Sequence, residues 1–246
     1  MWSTLVRWYH QLGSPRYFYR FSTVVLPWLW GLAIVLTAVG LAWGLAFAPE
    51  DYQQGNSYRI IFIHVPAAGA ALTGYVAMGV AGLVALVWRM KMAEIMIRAI
   101  APFGAVLAAV ALLTGAIWGK PTWGTYWVWD ARLTSMLIML FLYLGVVALM
   151  KAIEDDRQGA RAASLLSVVG VINVVVVKYS VEWWNSLHQG STINLTRETT
   201  MPAEMLVPLL ISMAGIYLLF AVSVLVRARA EILRRERKSR WLQEEV

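Results

Sequence analysis

Six apolar stretches constrain this chain more than any other feature. They lie at about 23–48, 64–88, 99–118, 132–150, 162–178 and 204–226. A helix needs about 20 mostly apolar residues to cross a bilayer. It must also satisfy its backbone N–H and C=O groups internally, because lipid offers them no partner. Composition agrees, with 60% hydrophobic and 14% charged residues, against roughly 25% charged in a soluble domain. The expected fold class is all-α: a polytopic membrane helical bundle of six transmembrane helices, forming one integral membrane domain over residues 1–246. The first stretch follows a polar, basic lead and is too long for a signal sequence, so it reads as a retained helix.

The formal net charge is +7. Of the 21 Lys and Arg residues, 16 fall at one set of helix ends, including Arg16, Arg89, Arg98, Lys151, Arg161 and those of the tail 227–246. The other set holds Arg59, Lys120, Arg132, Lys178 and Arg197. The positive-inside rule then predicts that both termini are cytoplasmic, which an even number of spans allows. In that arrangement the cations set topology and meet lipid head groups rather than nucleic acid. The basic tail reads as a cytoplasmic extension of the sixth helix. Small residues crowd the second helix, with Ala70 and Gly74 spaced for close backbone approach, which predicts a central position. There is no cysteine, so disulfides, thiolate metal sites and thioether bonds made by this chain are excluded.

The connections on the less basic side, 49–63, 119–131 and 179–203, are the longer ones. Function concentrates in loops held by a rigid scaffold, so a site is expected there. The chain has 13 tryptophans. An interfacial aromatic belt accounts for Trp28, Trp30, Trp88, Trp183 and Trp184. It does not account for Trp118, Trp123, Tyr126, Trp127 and Trp129, packed into 12 residues. A helix continuing from Trp123 would put Trp123, Tyr126, Trp127 and Asp130 on one face, with Arg132 just beyond. Such a platform suits a large, flat, apolar ligand with anionic groups at its rim, as in a porphyrin with two propionates. A sterol or quinone would have no need of the arginine.

Of the three histidines, His10 lies in the basic lead and is assigned no role. His64 lies at the outer end of the second helix. Pro66 suits a first helical turn, so His64 is expected at or just before the helix start. His188 lies in the third external loop. Either imidazole alone fits an interfacial polar residue. As a pair on the side of the aromatic platform, they read as axial ligands to a haem iron. Two histidines without cysteine make a thin zinc set, and no Ser or Thr has a recognisable base beside it. The chain reads as a binding protein and not as an enzyme.

The run Trp-Gly-Thr-Tyr-Trp-Val-Trp-Asp-Ala-Arg-Leu-Thr at 123–134 closely resembles the tryptophan-rich WWD signature of the haem-handling family of cytochrome c maturation. Several members are much larger, with more spans. A chain of this size, with one external histidine before the signature and one after it, resembles the family's protein C branch over essentially its whole length. The resemblance implies haem b, held non-covalently, with His64 and His188 as axial ligands. It implies Trp118, Trp123, Tyr126, Trp127, Trp129, Asp130 and Arg132 as the haem platform. It also implies a bacterial inner-membrane protein that delivers haem at the periplasmic face to a membrane-anchored haem chaperone, maturation protein E. The implied partners are a small membrane protein D and the ABC transporter subunits A and B. The alternative class is a membrane b-type cytochrome that transfers electrons. A transporter with a midplane site would want ionisable residues at mid-depth. The third to sixth helices offer almost none there, and Asn173, the main polar exception, is expected to bond to a neighbouring helix.

Overall fold

The computed structural model describes residue 11 and residues 13–184, 186–188 and 201–245. His10 and Arg197 lie outside the described residues. Six long helices form the body: α1 Pro15–Ala42, α2 Ile61–Trp88, α3 Lys91–Trp123, α4 Ala131–Ala152, α5 Asp156–Trp183 and α6 Ala203–Glu236. A short α7, Arg240–Glu245, follows. A π-helical turn, Trp43–Phe47, extends α1, and a 3-10 turn, Asn56–Ile60, runs straight into α2. All six long helices are long and apolar enough to cross a membrane.

The helices outrun the apolar stretches at most ends. Once a helix clears the hydrocarbon, charged residues can continue it. Thus α3 begins at Lys91, and α6 continues through the first half of the basic tail to Glu236. Local chemistry sets several termini. The Ser14 hydroxyl accepts from the Tyr17 N–H at the start of α1, and the Asp155 carboxylate accepts from the Gln158 N–H at the start of α5. Such caps satisfy donors that the first helical turn leaves orphaned.

As its small residues predict, α2 is central and packs on α3, α5 and α6. By contrast α1 lies at the edge, packed chiefly on α6. Of its most apolar 18-residue window only 11% is buried, against 44% for the span containing α2. Two buried tyrosines tie the centre together. The Tyr143 hydroxyl donates to the Ala71 carbonyl at 2.6 Å, joining α4 to α2. The Tyr75 hydroxyl donates to the Leu166 carbonyl at 3.2 Å, joining α2 to α5. Their rings meet edge to face at 4.9 Å. Gly104 and Gly170 are required where these rings pass, because a Cβ at either would overlap a tyrosine. As expected, Asn173 bonds across helices: its Nδ2 donates to the Ser135 carbonyl of α4 at 2.9 Å. These bonds hold α2, α4 and α5 to one another, and α3 packs against Tyr143 at Gly104; one end of each of the four helices lies at the same end of the bundle. Three of those ends carry the candidate site.

Candidate functional site

Two local expectations are corrected. The first concerns the aromatic platform. Gly124 adopts φ +78 and its N–H bonds to the Lys120 carbonyl, so α3 stops at Trp123. A left-handed glycine at this position is a common helix terminator. Tyr126, Trp127 and Trp129 therefore lie in an irregular loop, and Trp123, Tyr126, Trp127 and Asp130 do not share a helical face. The second concerns His64. The 3-10 turn starts the helix early, so α2 begins at Ile61 and His64 sits in its first turn. Pro66 lies inside the helix rather than at its start, forfeiting one backbone hydrogen bond.

Around His64 the geometry selects a tautomer. Its Nδ1 lies 3.0 Å from Thr114 Oγ1 on α3. The Thr114 hydroxyl donates to the Val110 carbonyl at 2.7 Å, so it offers His64 a lone pair. Nδ1 then carries the proton and Nε2 keeps its lone pair. Gly115 leaves room for the ring, since a Cβ there would lie 3.0 Å from His64 Cε1. Trp118 meets the imidazole edge to face at 5.8 Å. Its indole N–H donates to Gln54 Oε1 at 2.7 Å, which anchors the preceding loop.

His188 has a matching arrangement built from other residues. Its Nδ1 lies 3.1 Å from Asp130 Oδ2. Asp130 is the N-cap of α4, accepting from the Leu133 N–H at 2.8 Å, and it also accepts from the Ser186 hydroxyl. The His188 N–H in turn donates to Ser186 Oγ at 3.2 Å. Trp123 packs against the imidazole, with ring centroids 4.6 Å apart. Burial works against the charge on Asp130. The hydrogen bonds from Ser186, Leu133 and His188 outweigh it and hold the carboxyl below its usual range. Burial, aided by Arg132, lowers His188 from its ordinary 6.5, and the neighbouring Asp130 only partly opposes this. The His188 ring is therefore neutral at pH 7, with its proton on Nδ1 facing the carboxylate. Neither Nε2 has a hydrogen-bond partner among the described residues.

The remaining loop residues divide by exposure. Trp127 is half-buried, and its Nε1 is buried without a hydrogen-bond partner among the described residues. Trp129 packs on Trp127 at 5.3 Å but is 77% exposed. Tyr126 is also exposed and lies under the Lys120 ammonium. Arg132 turns toward α5, making long contacts to Ser180 Oγ and the Lys178 carbonyl. The structure thus groups His188, Trp123 and Asp130 as one cluster and His64 with Trp118 as another. Thr114, Ser186 and Gln54 had no distinguishing signal in the sequence, being common polar residues whose partners lie 50, 56 and 64 positions away.

Six apolar helices with two imidazoles of defined tautomer and an indole-rich loop at one end define a class: a multi-pass membrane protein with an imidazole–indole face. The chain belongs to the Heme exporter protein C family, whose sequence profile matches residues 8–243. It is similar to Heme exporter protein C of Escherichia coli K12, with 50% identity over 244 residues, 99% of this chain and 97% of that one. It is 46% identical to the Haemophilus influenzae protein of the same name over 236 residues, 96% of each chain. The Bradyrhizobium diazoefficiens protein of that name is 45% identical over 228 residues, 93% of this chain and 86% of its own.

Proposed function

We propose that this chain handles haem in c-type cytochrome biogenesis, holding it at the imidazole–indole face and passing it to the haem chaperone, maturation protein E. The observation that carries this reading is the state of the two histidines. Each donates from Nδ1 to a fixed acceptor, Thr114 or Asp130, which leaves Nε2 to coordinate a metal. Metal-bound histidines typically have this second partner, which sets the tautomer and ring orientation.

The surrounding residues fit haem b held without a covalent bond. His64 and His188 would be its axial ligands. Trp118 and Trp123 would provide apolar area, as each already lies against one of those imidazoles. The unpartnered Trp127 N–H would find an acceptor in a propionate, and a buried donor of this kind calls for one. Bound there, haem supplies an iron with two axial positions and an apolar ring with an anionic edge. The chain has no cysteine, so it forms no thioether bond to haem itself and can release it to the chaperone. The charge asymmetry supports an orientation with the basic end in the cytoplasm and the aromatic face in the periplasm of a bacterial inner membrane. The partners in this reading are the chaperone, the small membrane protein D and ABC subunits A and B.

The exposed side of the loop separates delivery from storage. Trp129 and Tyr126 present apolar surface outward, where a second protein can reach it. Replacing Trp129 and Tyr126 by Ala should reduce co-purification of the chaperone about tenfold, which corresponds to about 1.4 kcal/mol for the two rings together at an interface. Haem per protein should change less than twofold. The readout is chaperone recovered, normalised to Soret absorbance. Normal chaperone recovery with lost haem would make the loop a pocket wall only.

A further inference from the structure

The basic end holds a second constellation, unrelated to the aromatic face. Glu231, on α6, is buried and accepts from Arg234 and Arg235. Arg98 of α3 pairs with the same carboxylate, and Arg235 also reaches Glu94. This network locks α6 to α3. Beside it opens a cavity of about 1180 Å³ between the ends of α2, α3, α5 and α6.

The cavity has far more positive charge than the network neutralises. Arg89, Arg157, Arg161, Arg237 and Lys238 all line it, and none has a side-chain hydrogen bond or ion pair among the described residues. Arg235 lines it too. Its side chain is only 9% exposed, yet its Nη2 is buried without a hydrogen-bond partner. A buried guanidinium N–H left unmatched is costly unless an acceptor arrives. Arg89 adds a further oddity. It ends α2 with φ +54, the only non-glycine residue with positive φ among those described. That left-handed conformation is strained for an ordinary side chain and open to glycine, so arginine holds a position where glycine would be the easier choice.

The cavity is not purely polar. Leu86 and Leu165 line it on the side nearer the middle of their helices, and Leu165 is exposed. The ligand must therefore carry several negative charges at one end and an apolar body at the other, and must approach from the bilayer. We propose that this cavity binds the anionic phospholipid cardiolipin, with the two glycerol-linked phosphates of its headgroup seated on Arg89, Arg161, Arg157 and Arg235 and its chains against Leu86 and Leu165. Basic pockets between membrane helices bind such headgroups. The bound lipid neutralises the charge excess and bridges α2 to α5 at the end opposite the site. The orientation proposed above only names the leaflet. Lipid binding here does not depend on haem, so either reading can fail without the other.

The test is native mass spectrometry of the whole protein from nanodiscs of phosphatidylcholine with and without cardiolipin. The unaltered protein should retain cardiolipin and shed phosphatidylcholine. Arg89→Gln with Arg161→Gln should weaken retention about 30-fold, taking each cation near the surface as about one kcal/mol. Lys151→Gln with Arg240→Gln removes two cations outside this cavity and should change nothing. Arg157→Gln, at an exposed helix start, is a milder variant that should lose about fivefold. Equal retention of both lipids by the unaltered protein overturns the proposal. So does equal loss in the cavity and control variants. Stabilisation by inorganic phosphate in phosphatidylcholine alone would mean that the site reads a free anion, and the lipid assignment fails. If the cavity variant keeps its lipid but loses co-purifying subunits, the occupant is an acidic protein segment, and the proposal is again wrong.

Discussion

With His64→Ala and His188→Ala combined, purified protein should carry less than about one hundredth of the normal haem. Losing only an outer partner of a metal ligand costs about 10–100-fold, and here both donors go. Cells depending on this variant should make no detectable c-type cytochrome by haem stain. The fold should survive, because neither ring is among the fully buried residues that close the core. Each single variant should keep one imidazole and some haem, with an altered Soret band. His10→Ala should behave as the parent. Normal cytochrome assembly in the double variant would remove the histidines from the function altogether.

Asp130→Asn should produce the second-largest loss. The substitution keeps the shape and leaves an oxygen to cap α4 through the Leu133 N–H. It replaces a pure acceptor with an amide that can present N–H to His188 Nδ1. The imidazole then shifts its proton to Nε2, the atom that must bind iron, or rotates away. Haem retention should fall 10–100-fold, with unfolding temperature close to that of the parent. Asp130→Ala should lose the same haem binding and also about 1 kcal/mol of helix-cap stability. Asn and Ala variants that lose stability together while retaining haem would show that Asp130 only shapes the loop. An Asp130→Glu variant that recovers part of the haem would favour the positioning role.

The bundle was legible in the sequence because lipid imposes a simple rule: long apolar runs must be helices. The small residues of α2 pointed to its central place in the bundle. The two histidines and the tryptophan loop were legible as types on one side of the membrane. Their geometry was not. The i, i+3, i+4 spacing from Trp123 suggested one helical face, yet Gly124 intervenes and ends the helix. That signal was present, since glycine just past a periodic segment marks a helix end, but the aromatic spacing masked it. From the sequence, Asp130 is only a carboxylate at the edge of the aromatic platform. In the structure it caps α4 and holds His188, a role visible only once two loops 58 residues apart meet. Thr114 was unreadable for the same reason, since a threonine on an apolar helix usually just bonds back to its own carbonyls. Thr114 does that as well, and the bond fixes which of its atoms faces His64.

In the proposed function one haem iron sits between His64 and His188. The most direct measurement is the low-temperature electron paramagnetic resonance spectrum of the purified ferric protein, taken with its visible spectrum. The account predicts a low-spin signal of the bis-imidazole type. It should convert to a high-spin, five-coordinate form in either single His→Ala variant and be restored by added imidazole. A high-spin spectrum in the unaltered protein, or a low-spin spectrum unchanged by removal of both histidines, would contradict it.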